Sequence, residues 1–290
     1  MPIVYLASLM AAQRSARANL HLGVSLAFIA GALNAGGLLA VGQYTSHMTG
    51  MVSGAADHIA LGDWALAATA GATIFAFTAG AATTALMVNF ARRRGARHPY
   101  APTLLVEAVL LLVFGLAGAR MEGDSVATAP AIAVLLCYAM GLQNALVSKI
   151  SNAEIRTTHV TGLVTDIGIE LGKLAYWNGA ARRARADVRA EGAAAGAAAG
   201  ADLAVADLAV ADLAGTELAG ADLGAGVAPP VRANLPRLRL HSMLVGAFFC
   251  GGISGALGFR HGGFGATIPL ALALVALALA PYIGAAARKG

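Results

Sequence analysis

The sequence predicts an all-α polytopic membrane protein of six spans plus two short or broken helices, arranged as an inverted internal repeat. Three observations lead there. Hydrophobic residues make up 58% of the 290 residues and charged residues 12%, with a mean hydropathy of +0.70. That is about half the charge of a soluble domain. Six apolar runs approach the ~20 residues that cross a bilayer. One phrase is also written twice, as His47-Met48-Thr49-Gly50-Met51-Val52-Ser53 and His159-Val160-Thr161-Gly162-Leu163-Val164-Thr165. Duplicated polar elements between apolar runs are how internal repeats of transporters show themselves.

Residues 1–19 are an N-terminal extension. Its apolar stretch precedes Arg14 and Arg17 instead of following them, so it reads as an interfacial segment and not a cleaved signal. The spans are Leu20–Val41, Trp64–Phe90, Ala101–Ala119, Thr128–Val147, Leu240–Phe259 and Phe264–Ile283. The first repeat covers about 20–120 and the second begins near 128. The membrane domain is thus 20–182 and 239–290.

Two apolar pieces follow the duplicated phrase. Thr49–Leu61 is too short to cross, and Val160–Trp177 carries Asp166, Glu170 and Lys173. A charge at a helix centre costs about 2.5–3.5 kcal/mol on insertion scales. Loop charge agrees with two pieces that enter and return. Six spans then place 17 Lys and Arg on the cytoplasmic side and only Arg120 and Arg260 outside, with Lys173 uncounted. The split falls to 12 against 7 if both pieces cross, and to 15 against 4 if only the first does. The positive-inside rule selects the six-span arrangement, with both termini cytoplasmic.

Residues 183–238 are a different material, an Ala/Gly-rich cytoplasmic insertion. It contains units such as Ala201-Asp202-Leu203-Ala204-Val205 and Ala206-Asp207-Leu208-Ala209-Val210. Five residues turn an α-helix through about 500°, so these leucines share no helical face. Residues 201–225 resemble a short pentapeptide-repeat stretch, which is read mainly as a linker, because one coil is too little for a solenoid core.

Further residues carry a family resemblance. They are Gly31-Ala32-Leu33-Asn34-Ala35, His-Met-Thr-Gly at 47–50, Asp63-Trp64, the arginines of 92–97, Gly141-Leu142-Gln143-Asn144-Ala145 and Thr157-Thr158-His159-Val160-Thr161-Gly162. Over roughly 20–182 and 238–284 the chain resembles the YoaK family of bacterial inner-membrane proteins. The resemblance implies a multispan protein of the bacterial cytoplasmic membrane and supplies no activity. The family's first copy commonly reads Asn-Met-Thr-Gly-Asn, where this chain has His47 and Met51.

The candidate pathway-lining residues are His47, Thr49, Gly50, Thr158, His159, Thr161, Gly162, Asp166, Glu170 and Glu107. Gly50 and Gly162 would relax a helix break, and Thr49 and Thr161 would bond local carbonyls or cap the following helix. The two phrases would meet near the midplane. His159, Gly162, Asp166, Glu170 and Lys173 fall on one helix face. That face either lines a wet cavity or closes ion pairs such as Glu170–Lys173. Glu107 lies inside a span, where an acid marks a site by default. Asn34, Gln143 and Asn144 suit hydrogen bonding between helices.

Cys137 and Cys250 form no CxxC pair, which argues against a disulfide framework or zinc site. No catalytic order of residues is present, so no enzyme, cofactor or metal is expected. Nucleic acid is not an expected partner either. The expected partners are the lipid bilayer and an unknown small solute or proton, and a homo-oligomer is left open. The leading expectation is a small-solute or proton-coupled transporter or channel-like protein. The alternative is a non-transporting scaffold or regulatory partner acting through the insertion.

Overall fold

A computed structural model describes residues 15–120, 125–151, 158–176 and 231–286, with the single positions Tyr5, Leu9, Arg183, Ala186, Arg189 and Ala190. The pentapeptide-like stretch lies outside the described residues.

The described elements are all helical. They are α1 (Ala16–Val41), α2 (Met48–Leu61), α3 (Trp64–Arg93), α4 (Ala101–Arg120), α5 (Ser125–Ile150), α6 (Val160–Ala175), α7 (Leu235–Gly262) and α8 (Thr267–Ala286), with a 3-10 turn, Gly263–Ala266, before α8. Four stretches are long and apolar enough to cross a membrane: Arg17–Val41, Trp64–Arg93, Pro130–Ile150 and Leu235–Ile283, the last containing α7 and α8. Ala101–Leu116 in α4 is apolar but shorter.

The order long, short, long, long occurs twice, as α1–α4 and as α5–α8. Local chemistry sets the ends. α1 begins earlier than the apolar run, because Ser15 accepts a hydrogen bond from the Ala18 N–H at 3.2 Å as N-cap. It ends where Gly42 takes φ 74°, a left-handed conformation that favours glycine.

Two compact units divide the chain. One comprises 1–166 and 239–290, and the other is Ile167–Leu238. The core of the first unit gathers Leu22, Leu26, Leu104, Leu111, Met140, Leu146, Leu244 and Leu274.

Within that unit the halves pair crosswise, through four glycines. A Cβ on Gly31 of α1 would collide with the Phe248 carbonyl of α7, and one on Gly251 of α7 with the Phe28 carbonyl of α1. In the same way, a Cβ on Gly141 of α5 would collide with the Phe77 carbonyl of α3, and one on Gly80 of α3 with the Tyr138 carbonyl of α5. Each carbonyl belongs to the residue three before the partner's glycine. The first long helix of each half therefore packs on the second long helix of the other. Small residues permit backbone approach of this kind where no hydrophobic drive separates helix from lipid.

Contacts along each pair give its direction. Phe28 meets Gly251, Ala32 meets Gly255 and Gly36 meets the Phe259 ring, so α1 and α7 run parallel. Tyr138 Oη donates to Thr83 Oγ1, Thr84 Oγ1 to the Leu142 carbonyl and Lys149 Nζ to Asn89 Oδ1, so α3 and α5 also run parallel. Conversely, His98 at the start of α4 stacks edge-on against Tyr282 near the end of α8, while Gly115 meets Thr267. α4 and α8 are antiparallel.

Helical glycines do not all pack in this way: of Gly71, Gly246 and Gly251 only Gly251 is tightly packed, and the first two face open space. Gly141→Ala is therefore expected to destabilise the protein by about 1–3 kcal/mol or more, as overpacking does. Gly71→Ala is expected to leave stability unchanged or slightly raised. Thermal unfolding of both variants in detergent checks this; equal midpoints would refute the close approach.

Candidate functional site

The first short helix begins after an arm that folds back along the preceding long helix. Asn34 stands seven residues before the end of α1, which is about 10 Å along the axis. Its Oδ1 accepts from both the backbone N–H (3.0 Å) and the hydroxyl (2.9 Å) of Ser46. The arm 42–47 thus returns beside α1, with Thr45 buried against Gly37, before α2 turns outward again. In the second half, Asn144 Oδ1 of α5 accepts from the Thr158 hydroxyl. Asn144 stands six residues before the end of α5, about 9 Å along the axis. Asn34 and Asn144 therefore bond to the residues just before a short helix, where contacts between helices were expected.

Several expectations about the duplicated phrase need correction. His47 and His159 precede α2 and α6, and both are exposed, as are Thr49, Thr161 and Gly162. Thr158 is half-buried. The pair directions make α1 and α5 antiparallel, so the two asparagine bonds lie toward opposite ends of the bundle and not together at its middle. The break itself is at Gly42–His47, upstream of Gly50, which is helical. Gly50 makes room for the His47 ring, whose Nδ1 would stand 2.6 Å from a Cβ there. Thr49 and Thr161 lie inside their helices and cap neither of them.

The ionisable residues separate into three settings. Glu107 is fully buried in the core around Leu104, Ala108 and Leu111. Neither of its carboxyl oxygens has a hydrogen-bond partner, and neither has the Thr103 hydroxyl one turn before it. Gln143 is also fully buried; it donates to the Leu26 carbonyl at 3.3 Å, while its own oxygen is unpartnered. Buried polar atoms of this kind call for an explanation.

Asp166 Oδ2 stands 3.6 Å from His241 Nδ1, and that imidazole is buried in α7. The expected face of α6 is only partly right. Glu170 is buried and Asp166 and Lys173 are half-buried, whereas His159 and Gly162 are exposed.

Glu170 belongs to the unit Ile167–Leu238 and acts there as a clamp. Its Oε2 accepts from the Asn234 backbone N–H at 2.6 Å, and its Oε1 from Lys173 Nζ at 2.9 Å. The Glu170–Lys173 pair was foreseen in the sequence. Asn234 in turn accepts from the Arg237 N–H at 3.0 Å, capping α7. The backbone donor first, then Lys173, hold the Glu170 carboxyl below its ordinary range.

Sequence reasoning did not show which helices the four packing glycines join. A signal was available: Phe28, Phe77, Tyr138 and Phe248 each precede one of them by three residues, an aromatic-x-x-Gly phrase repeated on four helices. It also missed His241 as the partner of Asp166, a pairing that nothing in local spacing could reveal. Among the described residues, no group of three His, Cys, Asp or Glu is placed to hold a metal ion. An open groove between α3 and α5, lined by Phe75, Ala79, Val134 and Tyr138, is apolar.

The long apolar helices suggest a membrane-embedded helical protein. The chain belongs to the family described as "Protein of unknown function (DUF1275)", whose model matches residues 22–280. Neither the curated proteins nor the solved structures gave a match.

The clamp has a pH signature. A depressed folded-state pKa contributes stability that is complete above the unfolded value of about 4.3 and is lost as pH falls through the folded value. Exchange protection of the Asn234 N–H, corrected for intrinsic rate, is expected to persist below pH ~4.3 before vanishing. Glu170→Ala is expected to lose it at every pH. Protection that survives this substitution would refute the clamp.

Proposed function

We propose that the chain is an integral membrane protein with six crossings, two re-entrant short helices and inverted halves, and that it moves a small solute or a proton across the bilayer. The helix directions support six crossings. Were only one short helix to cross, α1 and α7 would run antiparallel. Were both to cross, α4 and α8 would run parallel. Neither matches the contacts along those pairs. Three crossings per half invert the second half relative to the first, the arrangement in which secondary transporters build a site between repeats. The positive-inside count places both termini in the cytoplasm. The YoaK resemblance and a bacterial inner membrane location belong to the same reading.

The single observation that carries transport is Glu107, an acid buried among leucines with both oxygens unpartnered. Within a membrane, such a residue faces the bundle interior and marks an ion or proton path. Thr103 and Gln143 supply further unpartnered oxygens in the same core. His47, Thr49, His159 and Thr161 are exposed and fall outside that path. No catalysis is proposed. The scaffold reading draws on a different observation, the Glu170 clamp at the downstream end of the insertion.

Proteoliposomes containing a pH dye separate the two readings. A transporter acidifies or alkalinises the lumen under an imposed gradient. Glu107→Gln is expected to fall to the level of protein-free vesicles, while His47→Ala keeps the wild-type rate. Full activity in Glu107→Gln, or none in the wild type together with a phenotype on deleting 190–228, would favour the scaffold.

A further inference from the structure

The turn joining α3 to α4 carries Arg92, Arg93, Arg94 and Arg97, and every one of them is exposed. Gly95, at φ 67°, reverses the chain between them. Arg92 donates to the buried Tyr100 hydroxyl and lies over its ring, and Arg94 lies over the Phe90 ring at 4.5 Å. The turn is therefore anchored. Among the described residues, none of these guanidiniums meets a carboxylate. Four like charges in six residues repel one another, and the negative end of α3 offsets only part of that. A fifth cation, Lys149, reaches Asn89 from the neighbouring α5. On α3, directly before the arginines, Leu86 and Phe90 stand one turn apart and are 72% and 59% exposed.

We propose that the turn carrying Arg93, Arg94 and Arg97 binds the phosphate headgroup of an anionic phospholipid, whose acyl chains lie along Leu86 and Phe90. Guanidinium forks bind phosphate oxygens in pairs, and the apolar surface beside them fits the same molecule's tails. A cationic cap next to an exposed apolar strip matches an amphiphile. A free phosphate would leave the strip uncovered, and an acidic protein segment would not cover it either. Basic pockets at the cytoplasmic ends of spans recognise lipid headgroups by this chemistry. The inference rests on the membrane reading but not on transport.

The full chain in phosphatidylcholine vesicles, probed with trace spin-labelled phosphatidylglycerol or phosphatidylcholine, tests it. The immobilised phosphatidylcholine fraction reports that the protein is in the bilayer, so failure of the membrane reading is seen separately. Phosphatidylglycerol is expected to be preferred by about fivefold per contributing arginine at low salt. The combined variant Arg93→Gln, Arg94→Gln, Arg97→Gln is expected to lose that preference. Removing three other cations, Arg17→Gln, Arg232→Gln and Arg239→Gln, is expected to keep it. The proposal is overturned if the first variant retains the preference or the second loses it equally. It is also overturned if inorganic phosphate abolishes the preference where chloride of equal ionic strength does not, since the occupant would then be free phosphate.

Discussion

Close backbone approach at four glycines is the constraint on which the rest of the structure depends. Gly31 with Gly251, and Gly80 with Gly141, let each helix press on a carbonyl of its partner. Any side chain at these positions would push the pair apart. Because the contacts tie α1 to α7 and α3 to α5, neither half can complete its own packing. The last helices of the halves, α4 and α8, then meet antiparallel, with Gly115 against Thr267 and Gly118 against Phe264. The amide bonds of Asn34 and Asn144 hang on this frame, as does the buried Glu107.

The two crossed pairs are alike but not identical, and their differences fall where function can separate the halves. One residue after Gly141, the Leu142 carbonyl accepts from Thr84. At the matching place, Gly255 lets the Ala32 carbonyl approach directly. The first short helix docks through Met51, which clusters with Ala76 and whose Sδ accepts from the Thr73 hydroxyl at 3.7 Å. The second docks through Leu163 and adds the Asp166–His241 pair. Two near-equal packings thus carry unequal polar fastenings. That asymmetry follows from the side chains, since the backbone arrangement is shared.

Much of this architecture was legible in the sequence. Hydropathy gave the long helices, the duplicated His-x-Thr-Gly marked the two short ones, and their length and internal charge set those apart. The partnerships were not legible. The long helices are apolar all round, because their outer faces are apolar as well, and such a helix does not announce which side meets protein. The same ambiguity made His47 and His159 look like interior residues, whereas the buried acid is Glu107, in α4, a helix without any repeated phrase. Asn34 and Asn144 were expected to bond between helices, but their bonds run to Ser46 and Thr158, just before the short helices. Chain reversal over twelve residues, as from Asn34 to Ser46, leaves no periodic trace.

The central claim is that the halves are inverted, with each short helix returning to the side from which it entered. Site-directed labelling tests this most directly. With Cys137 and Cys250 replaced, single cysteines at Ser53 and Thr165 are exposed to an impermeant thiol reagent from either side of sealed, oriented membranes. The account predicts that Ser53 reacts only from the outside and Thr165 only from the cytoplasmic side. Labelling of both positions from the same side would contradict the inversion and, with it, the six-crossing arrangement.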